Sequence, residues 1–207
     1  MFYWPKLEKD VRQHVRGCDV CQRNKYENIA SPGFLQPLPI PSSCWVEVSM
    51  DFIEGLPKSN GREVIMVVVD RLSKYAHFIA LAHPYTAYQV AQLYLDNIYK
   101  LHGMPEGIVS DRDPVFMSQF WQEFFKLQGV ELLLSTAYHS KTDGQTERTN
   151  QVLEDMFRAC ALKYGKSRHK GLPYAEFSDN NSFQASLKMA PFEALIGRKC
   201  RTPLFLN

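Results

Sequence analysis

Val46-Glu47-Val48-Ser49-Met50-Asp51-Phe52 alternates apolar with polar side chains. That is the period-two pattern of a strand with one buried face, and it sets Asp51 on the more polar face. Two further runs of strand type follow: Val64 to Val69 is apolar throughout and ends at Asp70, and Tyr75 to Ala82 continues in the same style. Both read as sheet interior. Three consecutive strands predict an antiparallel meander. Apolar residues then move to helical spacing at Ala87, Val90, Ala91, Tyr94, Ile98 and Leu101, and His102-Gly103-Met104-Pro105 supplies the glycine and proline that stop a helix. Gly107-Ile108-Val109-Ser110-Asp111 is a fourth short strand ending in a carboxylate. A helix rich in Phe120, Trp121, Phe124 and Phe125 runs from about Ser118 to Gln128, and Val130 to Leu134 is a fifth strand.

Beyond these strands, Thr142-Asp143-Gly144-Gln145 has the spacing of a capping box, so a helix should open there. Its apolar stripe is Val152, Leu153, Met156, Phe157, Cys160 and Tyr164, and Glu147 falls outside it. Leu172 to Leu195 is weakly helical. The order of elements is that of an α/β fold with a mixed five-stranded sheet flanked by helices. On the N-terminal side, Trp4, Leu7, Val11 and Val15 mark a small helix leading into Cys18-Asp19-Val20-Cys21. Residues 31–43 then carry four prolines and a glycine, which reads as an extended spacer. The predicted divisions are residues 1–30 (N-terminal segment), 31–43 (Pro-rich linker), 44–165 (core) and 166–207 (helical extension and basic tail).

A length of 207 residues at 45% hydrophobic and 22% charged suits one ordinary globular core with terminal additions. It excludes collagen-like and disordered classes. No apolar run approaches the roughly 20 residues of a membrane-spanning helix, and the N-terminus lacks the features of a secretory signal. The expectation is a soluble, intracellular chain. Five scattered cysteines form a poor disulfide framework and fit a reducing compartment. Lys and Arg number 24 against 22 Asp and Glu, so whole-molecule charge announces no nucleic-acid partner.

The chemistry therefore rests on local groups, chiefly Asp51, Asp111 and Glu147. Hard divalent cations such as Mg²⁺ and Mn²⁺ take oxygen ligands, and two of them about 3.5–4 Å apart stabilise the attacking and leaving oxygens of a phosphodiester displacement. Three crowded carboxylates repel one another until a cation neutralises them. From spacing alone, other readings stay open. Asp111-Arg112-Asp113-Pro114 also reads as a turn, Glu147 as a solvated helix face, and Asp70, Asp113 and Glu54 also stand near element ends.

Thirty-five residues separate Asp111 from Glu147. Together with Met50-Asp51-Phe52, Ser110-Asp111-Arg112-Asp113 and the run from Tyr138 to Asn150, this resembles the catalytic core of integrases from gypsy-type LTR retrotransposons. The likeness continues through Tyr3-Trp4-Pro5, Cys18-Asp19-Val20-Cys21-Gln22, Val69 to Lys74, Asn180-Asn181-Ser182-Phe183 and Ala190 to Gly197. The resemblance implies an RNase H-like fold in which Asp51, Asp111 and Glu147 hold two Mg²⁺ (or Mn²⁺) ions. It implies 3′-end processing and strand transfer, a polynucleotidyl transferase or endonuclease activity that joins element ends to double-stranded target DNA. It also implies DNA contacts from Tyr138, His139, Lys141, Gln145 and Arg148, homo-oligomers at full length, synthesis within a cytoplasmic polyprotein and action in the nucleus.

Residues 1–30 then correspond to a truncated zinc-binding segment, with Cys18 and Cys21 a residual half-site for Zn²⁺. The family's upstream histidine pair is absent, and His14 is a poor substitute, so an ordered Zn²⁺ is not expected. Ser140-Lys141 replaces the family's usual Pro-Gln, and Ser167-Arg168-His169 stands where a tryptophan-containing turn is usual. The family's C-terminal DNA- or chromatin-binding module is also not seen. Two rival readings follow: a catalytically silent DNA-binding remnant, and an RNase H-like nuclease acting on RNA/DNA hybrids.

Overall fold

The computed structural model describes residues 4–18, 39–56, 58–134 and 171–201. β1 (Glu47–Ile53), β2 (Val64–Asp70) and β3 (Ala76–Leu81) form the expected antiparallel meander. β4 (Gly107–Ser110) and β5 (Glu131–Leu134) pair in parallel on the other side of β1, which gives the order β3-β2-β1-β4-β5. Parallel neighbours require crossovers, and helices supply them here. The link from β3 to β4 contains α2 (Ala87–Tyr94), prolonged by a π-helical segment (Leu95–Tyr99) and a last α turn (Lys100–His102). α3 (Gln119–Leu127) links β4 to β5.

β2 is buried along its whole length because both of its faces are covered. Val64, Met66 and Val68 meet Val90, Tyr94, Trp121 and Phe125 from α2 and α3, while Ile65, Val67 and Val69 meet Ile53, Phe78 and Ala175. Trp121 and Phe125 of α3 are both fully buried, with ring centroids 4.6 Å apart. Each buried side chain of this kind contributes roughly 1.5–3 kcal/mol from burial alone. Local signals agree with the packing. Thr86 and Gln89 form a reciprocal capping box at the start of α2, and the Ser118 hydroxyl accepts from the Trp121 N–H at the start of α3.

The β2–β3 turn is organised by Asp70, which is wholly buried. Its carboxylate accepts from the Trp45 N–H (2.8 Å), the Ser73 N–H (2.8 Å) and the Ser73 hydroxyl. Beside it, Arg71 pairs with Glu47, which ties the turn to the start of β1.

Two further helices follow the sheet: α4 (Leu172–Asn180), with proline in its first turn, and the shorter α5 (Pro191–Ile196), which ends at Gly197 in the left-handed region. The Asn180 amide accepts from the Ala76 N–H (2.8 Å) and donates to the Ala76 carbonyl (2.9 Å). Glu176 accepts from the Phe78 N–H at 2.8 Å and lies 3.2 Å from His77 Nδ1. His77 Nε2 in turn lies 2.9 Å from His102 Nε2, so the two imidazoles share a hydrogen bond. Trp45 stacks on His102 with centroids 3.6 Å apart. Burial, and next the neighbouring His77, hold His102 well below its ordinary range, at about 4. The network therefore joins α4, β3 and the end of the α2 extension.

At the N-terminus, α1 (Leu7–Gly17) forms as the apolar spacing predicts, and none of its residues is buried.

Candidate active site

Asp51 lies in β1 and Asp111 immediately follows β4. The two strands are parallel neighbours, with Met50 opposite Ser110, so the next residue along each chain is Asp51 on one and Asp111 on the other. Adjacent strands run about 4.8 Å apart, which places the two acids side by side at the strand ends. Val48, Met50 and Ile108 all belong to the core under α2 and α3. Alternation along each strand then directs Asp51 to the opposite face of the sheet.

Each acid is steadied by its own backbone. Asp51 Oδ1 accepts from the Phe52 N–H (2.8 Å), and Asp111 Oδ1 accepts from the Asp113 N–H (3.0 Å). Asp113 Oδ1 in turn accepts from the Val115 N–H (2.8 Å), so the loop after β4 is built from successive Asp turns. The turn reading and the site reading of Asp111-Arg112-Asp113-Pro114 therefore coexist: the turn holds the carboxylates.

Two other acids named in the sequence reading join this mouth, together with a tyrosine that it missed. The Tyr85 hydroxyl donates to Glu54 Oε1 at 2.7 Å. Burial, the hydrogen bond to Glu54 and the charges of Asp113, Glu54 and Asp111 all push that hydroxyl well above its ordinary range. Asp113 is raised as well, by burial first and then by the charges of Asp111 and Glu54, against the opposing bond from the Val115 N–H. Nothing in the residue pattern marks Tyr85, because its place depends on how the β3–α2 connection folds back toward β1. Asp70, by contrast, stands apart as the buried turn carboxylate described above.

Two observations bear on whether these residues fit a divalent cation. The donors are carboxylate oxygens, as hard cations require. No described Lys or Arg makes an ion pair with Asp111, Asp113 or Glu54, so among the described residues their negative charge meets no cation. The pair fits a cation but does not complete its shell. Among the described residues, no three His, Cys, Asp or Glu side chains are grouped to hold a metal ion. Glu147, the predicted third ligand, lies outside the described residues, as do Tyr138, His139, Lys141, Gln145 and Arg148. Of the proposed zinc half-site, Cys18 is described, directly after α1, and Cys21 is not. Among the described residues, no helix is long and apolar enough to cross a membrane.

A five-stranded mixed sheet of order β3-β2-β1-β4-β5, with acids at the ends of its first and fourth strands, is the RNase H-like fold. Comparison with known proteins agrees. Residues 42–140 match the integrase core domain family and residues 1–27 match the integrase zinc binding domain family. The described core and the segment before it are thus similar in sequence to an integrase core domain preceded by an integrase zinc-binding domain. Two relatives are the transposon Tf2-3 and Tf2-4 polyproteins of Schizosaccharomyces pombe (strain 972), each 35% identical over 192 residues covering 93% of this chain. The chain spans 14% of the length of these polyproteins. Among solved structures, the simian T-cell lymphotropic virus intasome in complex with PP2A regulatory subunit B56 gamma superposes with a TM-score of 0.64 at 18% identity, covering 94% of this chain and 68% of that one. The HTLV-2 integrase catalytic core in complex with magnesium gives 0.58 at 18% identity, over 73% and 96% of the two chains. At such identities the likeness is one of fold.

Proposed function

We propose that this chain is part of a gypsy-type LTR retrotransposon integrase that catalyses DNA integration by metal-dependent 3′-end processing and strand transfer. The observation that carries the proposal is the β1–β4 register, with Asp51 and Asp111 one step beyond the paired Met50 and Ser110. The integrase core match and the polyprotein relatives support it. Asp51 and Asp111, with Glu147 from the later segment, are the ligands proposed for two Mg²⁺ or Mn²⁺ ions. That the HTLV-2 core, of the same fold, was solved in complex with magnesium supports the choice of metal.

Bound there, paired divalent cations would polarise the attacking hydroxyl and neutralise charge on the departing 3′-oxygen. The chain's own part is to hold the acids oriented. The backbone N–H groups of Phe52 and Asp113 fix one oxygen of Asp51 and of Asp111. In the displacement, a water or DNA 3′-hydroxyl oxygen forms a bond to phosphorus as the bond to the leaving 3′-oxygen breaks; the attacking group's proton passes to solvent and the leaving oxygen takes one from solvent to become a 3′-hydroxyl. No covalent enzyme intermediate is required. Tyr138, His139, Lys141, Gln145 and Arg148 are proposed to grip DNA through phosphate contacts and stacking. A homo-oligomer on double-stranded element ends and target DNA, formed in the nucleus after release from a polyprotein, completes the reading.

The test is a disintegration assay on branched DNA with Mg²⁺ or Mn²⁺. The expected result is metal-dependent rejoining that Asp111→Asn abolishes. DNA binding with no turnover would favour a silent remnant, and cleavage of an RNA/DNA hybrid without joining would favour a nuclease.

A further inference from the structure

We infer that Tyr85 is a positioning residue for the carboxylate pair, the outer member of a three-ring stack with Phe52 and Phe116 that sets the spacing between the strand bearing Asp51 and the loop bearing Asp111. The inference rests on the cation-binding role proposed for that pair. Phe52 directly follows Asp51, and Phe116 belongs to the loop that Asp111 opens. Their rings lie 5.1 Å apart with planes 13° from parallel, so the two acid-bearing segments are joined through one aromatic contact. Because successive strand residues face opposite ways, this contact lies beneath the sheet while Asp51 projects above it.

The inner end of the stack is fixed. Phe116 is fully buried and abuts Trp121, with ring centroids 5.3 Å apart. Phe52 is only partly buried, and its further cover is Tyr85, 5.1 Å away at 37°. Tyr85 is itself held at two points: its hydroxyl by Glu54, and its backbone by Thr86, the residue that caps α2. Tyr85 thus acts on the carboxylates through Phe52. Without its ring, Phe52 loses cover on one side, and the Asp51–Asp111 separation is less tightly defined. Ion binding is sensitive to this, because ligand distances must hold within a few tenths of an ångström.

Mn²⁺ titration of the full chain, followed by the electron paramagnetic resonance of free Mn²⁺, tests the inference on wild type, Tyr85→Leu, Tyr85→Phe and Asp111→Asn, with a thermal unfolding curve for each. Tyr85→Leu is expected to weaken Mn²⁺ binding about tenfold per folded molecule, in the range for lost outer partners of metal ligands, while Tyr85→Phe, which keeps the ring, stays within about threefold of wild type. In the branched-DNA assay, Tyr85→Leu should raise the Mg²⁺ concentration for half-maximal rate and leave the rate at saturating Mg²⁺ nearly intact. A lowered unfolding midpoint with unchanged Mn²⁺ affinity would make Tyr85 merely structural and overturn the inference. Equal losses in the Leu and Phe variants would overturn the role of the ring. Asp111→Asn separates the two levels: if it binds Mn²⁺ like wild type, the cation-pair reading itself falls, whereas its loss of binding beside an unaffected Tyr85→Leu removes only the role of Tyr85.

Discussion

Asp70 and Asp111 both stand at the end of a strand, yet they have opposite surroundings. Asp70 is sealed in the β2–β3 turn, where two backbone N–H groups and a hydroxyl saturate its carboxylate. Asp111 is exposed after β4, with one oxygen bonded to the Asp113 N–H and further acids as neighbours. Position in the chain does not separate an architectural acid from a chemical one; the number of donors around it does. A carboxylate already engaged by three donors has little left to offer an ion, whereas one set among other carboxylates, with no ion pair to a described Lys or Arg, favours one.

Substitution at the two positions should therefore separate activity from stability. Asp111→Asn is expected to cut branched-DNA rejoining by more than the roughly 100-fold that loss of an outer-shell partner costs, and to change urea-unfolding stability by no more than about 0.5 kcal/mol. Asp70→Ala should do the reverse. It strands the Trp45 and Ser73 donors at a cost of about 3–5 kcal/mol, read from the urea midpoint, with Mn²⁺ affinity per folded molecule unchanged.

Asp179 sharpens the comparison from a third side, as a buried acid on α4 whose Oδ2 has no hydrogen-bond partner among the described residues. Burial raises it from 3.8 to about 6. A raised folded-state value means that the stability this group contributes is present below pH 3.8 and is lost as pH climbs through 6. Asp179→Asn should accordingly stabilise the protein by about 2 kcal/mol at pH 8, and the gain should fade toward pH 4, as urea unfolding at the two pH values would show. The smallest effect is expected at Asn180, where alanine removes two hydrogen bonds to Ala76 and costs about 1–2 kcal/mol, most visibly as faster amide exchange at the Ala76 N–H.

Much of this architecture was legible in the residues. The alternation through Asp51, the unbroken apolar run of β2 and the Gly103–Pro105 stop all correspond to observed elements, because each reflects burial on a nearby face. The π-helical segment Leu95–Tyr99 left no trace in the pattern, since Tyr94 and Ile98 keep an ordinary helical interval and are both buried. The capping box at Thr86 and Gln89 passed unread although its signature is local. For the site, Asp51 and Asp111 could be nominated from strand ends. Their adjacency depended on a parallel pairing between segments far apart in sequence, which no periodicity encodes. Tyr85 was silent for the same reason, and Glu147 came from family likeness rather than from spacing.

The hold of α4 on β3 has one more consequence. β3 is the outermost strand on its side of the described sheet, and the side chains of Asn180 and Glu176 already take up both backbone groups of Ala76 and the Phe78 N–H. A strand from a second molecule would find the first half of that ladder taken, so edge-to-edge pairing along this rim requires the helix to peel away first.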